Sequence, residues 1–152
     1  MKSSARLQPL DDEYYMRLAL EEAQVAFEAG EVPIGAVVVC QGQVIARAHN
    51  QVEQLRDPTA HAEMLAITAA TEALSASRLS GCSLYVTIEP CPMCAGGIRW
   101  ARLSEVIYGA AEEKFGYTIY SSEILPSSCR RRTGVLEQEA RALMQEFFRL
   151  RR

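Results

Sequence analysis

Apolar residues recur at helical spacing near the N-terminus. Met16, Ala19, Leu20, Ala23, Ala26 and Phe27 form one stripe along one helix face. Asp11-Asp12 can cap the start and Gly30 can stop it, so the pattern predicts a helix to about Ala29. The continuous apolar run Gly35-Ala-Val-Val-Val-Cys40 then reads as a buried strand, and Gln41-Gly42 turns it into a second strand over Gln43 to Ala48. A polar loop follows from His49 to Pro58, and a second helix is expected from near Thr59 to about Leu74. Ser83 to Ile88 is a third strand. Glu89-Pro90-Cys91-Pro92 opens a third helix, to about Ala101, since proline is tolerated in a first turn. Glu105 to Tyr108 is a fourth strand, ended by Gly109, and Ala110 to Thr133 leaves room for one more short strand or helix. A last helix from about Val135 carries the stripe Leu136, Ala140, Leu143 and Phe147, with Phe148 at its edge. Strands alternating with helices after an opening hairpin predict an α/β sandwich with a mixed sheet.

Composition narrows this. The chain has 152 residues, 49% apolar and 23% charged, which suits one domain that buries its own core and excludes disordered or collagen-like classes. No apolar run is long enough for a membrane span, and Met1 to Asp12 lacks the apolar segment of a signal peptide. Five cysteines, an odd number, include a Cys91-x-x-Cys94 pair, so a cytoplasmic chain with reduced thiols and a metal is expected rather than a disulfide scaffold. Cys40, Cys82 and Cys129 read as packing residues. The net charge is −3, but Cys129 to Arg152 holds seven arginines against three glutamates, +4, leaving −7 elsewhere. That run is either a solvated helix face or a phosphate-facing edge.

The chemistry concentrates in His61-Ala62-Glu63 and Pro90-Cys91-Pro92-Met93-Cys94. A Cys-x-x-Cys alone is a redox pair or half of a structural zinc site. No second Cys-x-x-Cys completes a four-ligand site, and His61 is one of two histidines. One His and two Cys hold zinc with an open fourth position, as hydrolysis requires. Zinc with two thiolates and a neutral imidazole is formally neutral, a modest Lewis acid that needs a general base. Glu63, two residues after His61, fits that role.

His-Ala-Glu followed by Pro-Cys-Pro-Met-Cys resembles the zinc-dependent cytidine/deoxycytidylate deaminase superfamily. Glu31-Val-Pro-Ile-Gly-Ala-Val-Val-Val39, Asp57-Pro-Thr-Ala-His-Ala-Glu63, Leu84 to Gly97 and the terminal Glu146-Phe-Phe-Arg-Leu-Arg-Arg152 are similar to the bacterial tRNA-specific adenosine deaminases, from about residue 12 to the end. The resemblance implies a three-layer α/β/α cytidine-deaminase-like fold with a mixed central sheet, a single deaminase domain over residues 1–152 and a flexible arm over 1–10. It implies one Zn²⁺ per subunit on His61, Cys91 and Cys94, a cytoplasmic homodimer, and a tRNA anticodon stem-loop as substrate. A zinc-activated water would attack C6 of a flipped adenine while Glu63 carries the proton to the ring and then to the departing amine. Asn50 falls where the family hydrogen-bonds the base, Val32 on a pocket wall, and the Ala62 N–H on a contact to the purine edge.

The loop after the fourth strand departs from the family pattern. Glu112 stands where an aspartate is usual, and Phe115, Tyr117 and Tyr120 replace small residues beside the nucleic-acid channel. These tyrosines either stack on bases or pack the loop. Phe148 is a candidate substrate contact, whereas His49 reads as a loop residue. Trp100-Ala101-Arg102 is similar to guanine deaminases, so deamination of a free purine base or nucleoside is the competing activity. A binding module with structural zinc is the third reading. Glu63 argues against it, since a structural site has no use for an unliganded acid beside the metal.

Overall fold

Alternation along the strands decides the layers. The computed structural model describes residues 11–151; the arm expected over 1–10 and Arg152 lie outside the described residues. Helix α1 (Asp12–Glu28) leads into the hairpin β1 (Gly35–Cys40) and β2 (Gln43–His49). A one-turn helix α2 (Val52–Leu55), helix α3 (Ala62–Leu74), strand β3 (Cys82–Ile88) and helix α4 (Pro92–Ala101) follow. Then come β4 (Glu105–Ala110), the turn of helix α5 (Tyr117–Tyr120), a 3₁₀ turn over Ser122–Ile124, β5 (Arg130–Thr133) and α6 (Glu137–Arg149).

The sheet order is β2-β1-β3-β4-β5. β1 is antiparallel to β2 and β3, whereas β3, β4 and β5 run parallel, so the expected mixed sheet forms. Val37, Val39, Tyr85 and Ile107 pack with Tyr15, Met16 and Ala19 of α1 on one face. Their neighbours Ala36, Val38, Leu84, Val86 and Val106 pack with Ala62, Ala66, Ala95 and Ile98 of α3 and α4 on the other. The period of two along each strand thus assigns successive side chains to opposite layers. α6 joins the α1 face, where its Ala140 meets Ile88 and Ala110 at the carboxyl ends of β3 and β4. Gly35 lets α1 cross directly over β1: a Cβ there would collide with the Ala19 carbonyl and approach Ala23 N to 2.5 Å.

Several boundaries differ from the sequence pattern. α3 begins at Ala62 rather than near Thr59, because Asp57 Oδ1 accepts from both Thr59 N (2.9 Å) and Thr59 Oγ1 (2.7 Å) and holds a turn instead. Gly109 does not end β4. The strand continues to Ala110, which pairs with Ile88, and Gly109 is the point where Thr87 O (2.7 Å) and Val135 O (3.1 Å) approach a Cβ position most closely. Cys40 and Cys82 are not separate packing thiols. They are register partners across β1 and β3, with Cα atoms 4.3 Å apart, and form a disulfide. Tyr117 is buried in the core, which settles its packing role, whereas Tyr120 is exposed.

The arginine run on β5 is internal fastening rather than a phosphate edge. Arg131 donates to the carbonyls of Ser122, Leu125, Pro126 and Cys129. Arg132 bridges Asp12 Oδ2 (2.7 Å) and Glu105 Oε1 (3.0 Å), and Arg130 reaches Glu105 Oε2 (2.6 Å). This network ties the first turn of α1 to the sheet edge. The Arg132 hydrogen bond holds the Asp12 carboxyl below its usual range against the effect of burial. Burial pushes Glu105 up, but hydrogen bonds from Arg130 and Arg132 outweigh it and leave that carboxyl lowered as well. A depressed folded-state pKa adds stability that is present above the unfolded value, roughly 4, and lost as pH falls through the folded value. We therefore expect the urea midpoint to drop as pH falls below about 4 and Asp12→Asn to flatten that dependence. Identical acid profiles for wild type and Asp12→Asn would count against the network.

Candidate active site

The carboxyl ends of β3 and β4 open onto a cleft, the usual place for a site in an open α/β sheet. After Ile88, Glu89-Pro90 carries the chain to Cys91, which is extended (φ −74°, ψ 169°) and precedes Pro92 at the start of α4. Proline is preorganised for that position. His61 precedes α3 in the same way, extended at φ −80°, ψ 151°, and its side chain makes no capping bond. Two helices thus begin side by side, each presenting a ligand-type residue just before its first turn. Cys94, three residues after Cys91, turns back beside it and is buried.

His61 Nδ1 lies 3.7 Å from Cys91 Sγ and 3.4 Å from Cys94 Sγ. All three donor atoms lie within 4.8 Å of one another. A tetrahedral zinc with Zn–S about 2.3 Å and Zn–N about 2.05 Å holds its S and N ligands roughly 3.5 Å apart, so the donors are already at ligand spacing. A hydrogen bond with Cys94 and another with His61 hold the Cys91 thiol down at about 4 despite its burial. The bond to Cys91, together with burial, pushes Cys94 up. Hydrogen bonding to Cys91 raises the imidazole, with burial opposing. The shifts pull the three groups apart because each donor faces the other two, the arrangement in which a bound cation competes with protons for the same atoms.

Glu63 lies in the first turn of α3 and is 3% exposed. Burial pushes its carboxyl up to about 7, and its Oε1 is buried with no hydrogen-bond partner among the described residues. An orphaned carboxylate oxygen costs about 1–3 kcal/mol, a cost that structural roles do not require. Asn50 is buried, and its Oδ1 accepts from Ala62 N at 2.7 Å. The Ala62 N–H expected to meet a purine edge is therefore committed to Asn50, and Ala62 itself is fully buried. That leaves Asn50 Nδ2 as the amide donor at this position.

Val32, Asn50, His61, Glu63, Cys91, Glu112 and Phe148 line one cleft of about 1040 Å³. The Glu112 carboxylate is engaged within its own loop, Oε1 accepting from Lys114 N at 2.9 Å. Phe148 is half-exposed and stacks edge-on against Phe147 at 5.2 Å. His49 is occupied elsewhere, its Nδ1 3.2 Å from Glu22 Oε1. Of the C-terminal arginines, Arg141 and Arg151 line the cleft, and the Arg151 guanidinium sits 3.7 Å over the Phe147 ring. Arg141 also pairs with Glu137 at 2.8 Å, and Arg149 pairs with Glu146 at 2.6 Å.

The sequence reading missed two buried acids, Glu31 and Glu89. Glu31 accepts from Glu53 N (3.1 Å) and Gln54 N (2.8 Å), fixing the segment after Asn50. Glu89 accepts from the amides of Glu112 (3.1 Å) and Thr118 (3.0 Å) on the opposite wall. The available signal was a charged residue set beside a proline within an apolar stretch, in Glu31-Val-Pro33 and Glu89-Pro90.

The family model for MafB19-like deaminases matches residues 10–152. A tRNA-specific adenosine deaminase of Aquifex aeolicus is 45% identical over 141 residues, covering 90% of this chain and 93% of that one. A solved structure from work on A-to-I editing by tRNA:A34 deaminases at the wobble position of transfer RNA superposes with a TM-score of 0.80 at 44% identity, over 86% of this chain and 98% of that one. A guanine deaminase from Bacillus subtilis superposes with a TM-score of 0.66 at 40% identity, over 72% of this chain and 73% of that one. The fold is the cytidine-deaminase-like one, and with matches over most of its length in both sequence and structure the chain belongs to the deaminase family, in the branch of the tRNA-specific adenosine deaminases.

Proposed function

We propose that this protein hydrolyses adenosine to inosine, with release of ammonia, at the wobble position of a tRNA anticodon. The observation that carries the chemistry is the partnerless, buried Glu63 Oε1 beside a His–Cys–Cys donor set at the floor of an open cleft. The substrate follows from the tRNA-specific relatives. Two sulfurs and one imidazole at tetrahedral spacing fit Zn²⁺, one per chain. When bound, zinc supplies the Lewis acidity that brings the pKa of water toward neutrality.

The chain's own residues do the rest. Glu63, raised to about 7, is poised to take a proton on Oε1 and return it to the base as the amine departs. Asn50, pinned through Oδ1 to Ala62 N, aims its Nδ2 donor at an acceptor on the purine edge. Val32 forms an apolar wall beside it, and Phe148 offers an aromatic face at the cleft for an unpaired base. Glu112 contributes to the opposite wall through its backbone.

Guanine deamination is the second reading, favoured by the guanine deaminase neighbour. The cleft speaks for the larger substrate. Its volume of about 1040 Å³ is slightly above the roughly 300–1,000 Å³ range of small-ligand sites, and Lys114 and Arg151 line its rim together with Arg141, which also pairs with Glu137. A lone base has no phosphate for those cations. A homodimer fits the surface: Trp100 on α4 is 80% exposed, Tyr120 on the adjoining α5 is exposed, and the space around Gly96 is open. No helix among the described residues is long and apolar enough to cross a membrane.

Four outcomes are expected. Glu63→Ala keeps one zinc per chain by elemental analysis and loses about 10²–10⁴-fold in turnover; loss of zinc or retained activity would overturn its role. The pair Arg141→Ala and Arg151→Ala weakens binding of an anticodon stem-loop and flattens the salt slope of log K by roughly 0.7 for each phosphate no longer neutralised. Phe148→Ala costs roughly 1–3 kcal/mol with the slope unchanged. Ready turnover of free guanine with an inert stem-loop would reverse the choice of substrate. Light scattering at micromolar concentration returns a dimer mass, and a monomer mass would refute the assembly.

A further inference from the structure

Glu89 is a buried carboxylate that meets no cation among the described residues, and the three hydrogen bonds to its side chain that they supply come from one loop. Its Oε1 accepts from Glu112 N (3.1 Å), and its Oε2 accepts from Thr118 N (3.0 Å) and Thr118 Oγ1 (2.7 Å). The adjoining backbone is held to the same loop, since Tyr117 N donates to Pro90 O at 2.9 Å and Glu89 N donates to Ala110 O at 2.8 Å. The loop is pressed so closely onto the carboxyl that a Cβ at Gly116 would collide with it. Tyr117, 1% exposed, anchors the far end in the core. Between these anchors Glu113, Lys114 and Phe115 form a short arch at the cleft, with Phe115 62% exposed.

A carboxylate needed only for stability has no reason to spend every bond on a loop whose tip faces solvent at the cleft. The tip carries an aromatic face next to an ammonium, a pair suited to an unpaired base and its phosphate. We propose that Glu89 is a positioning residue for polynucleotide substrate, fixing the arch so that Lys114 and Phe115 hold a nucleotide flanking the one whose base enters the cleft. This inference rests on the reading of the chain as an RNA deaminase. Glu89 acts on the fit of the strand, through Phe115, and leaves the chemical step to Glu63.

The test pairs kinetics with hydrogen exchange on the zinc-loaded protein. In Glu89→Gln an amide NH₂ faces backbone donors, so exchange at the Glu112 and Thr118 amides accelerates and KM for an anticodon stem-loop rises about ten-fold, with kcat changed by less than about two-fold. Gly116→Ala, which pushes the loop off the carboxyl without altering it, gives the same pattern and decides the matter if Glu89→Gln fails to fold or to hold metal. Phe115→Ala raises KM similarly, and combining it with Glu89→Gln adds nothing further, because both remove the same hold on the strand. The inference is overturned if exchange accelerates while KM stays at the wild-type value, if kcat rather than KM falls, or if the effects of Glu89→Gln and Phe115→Ala multiply. A wild type that ignores the stem-loop and deaminates a free purine defeats the functional reading and this inference with it. A wild type active on the stem-loop with both loop variants kinetically unaltered defeats this inference alone.

Discussion

The site depends on two helices having to begin at one place. α3 and α4 each start with the preceding residue extended, and those residues are His61 and Cys91. Had either been absorbed into its helix, its side chain would follow the helix surface instead of reaching across the gap between the two N-termini. The extended conformations are enforced by prolines and turns. Pro92 disfavours helical geometry at Cys91, and the Asp57–Thr59 turn delays the start of α3 until after His61. The positive ends of two helix dipoles at this point favour thiolate and other negative charge there. Small residues, Ala62, Ala66 and Ala95, let both helices sit low on the sheet, so the donors approach to within ligand distance.

The same constraint explains Glu63. Falling in the first turn of α3, two residues after the fixed His61, it is buried at the floor of the cleft beside the donors. Burial that would be a defect elsewhere raises its proton affinity to the neutral range. The walls of the cleft are built on the same economy. Buried carboxylates at Glu31 and Glu89 gather backbone N–H groups that would otherwise be unsatisfied, and so shape irregular chain without adding a helix or strand.

Much of this was legible from residues alone. The helical stripe of α1, the β1–β2 hairpin, β3 and the stripe of α6 follow from periodicity, because burial on one face leaves a period in the chain. The donor set was legible because few residue types bind zinc and this chain has few histidines. What periodicity does not carry is the pairing of polar groups over distance. Asp57 binding Thr59, Arg131 satisfying four carbonyls of the Ser122–Cys129 segment, and Arg132 spanning to Asp12 across 120 residues leave no local pattern. The charge run read as a solvated helix face or a phosphate edge, whereas its three β5 arginines, Arg130, Arg131 and Arg132, hold the fold. The commitment of the Ala62 N–H to Asn50 was hidden for the same reason. Gly109 read as a terminator because glycine usually breaks strands, whereas here it makes room for neighbouring carbonyls.

The Cys40–Cys82 link gives the chain a topology as well as a shape. It closes a ring with a sequence separation of 42 that contains Asn50, His61 and Glu63 but excludes Cys91 and Cys94. An oxidised unfolded chain therefore keeps half of the site on a tether and half on a free tail. By chain-entropy arithmetic, such a ring is worth roughly 4 kcal/mol to the folded state. The bond joins the ends of β1 and β3 remote from the cleft, so the surrounding redox poise acts on how long the molecule survives rather than on how it works.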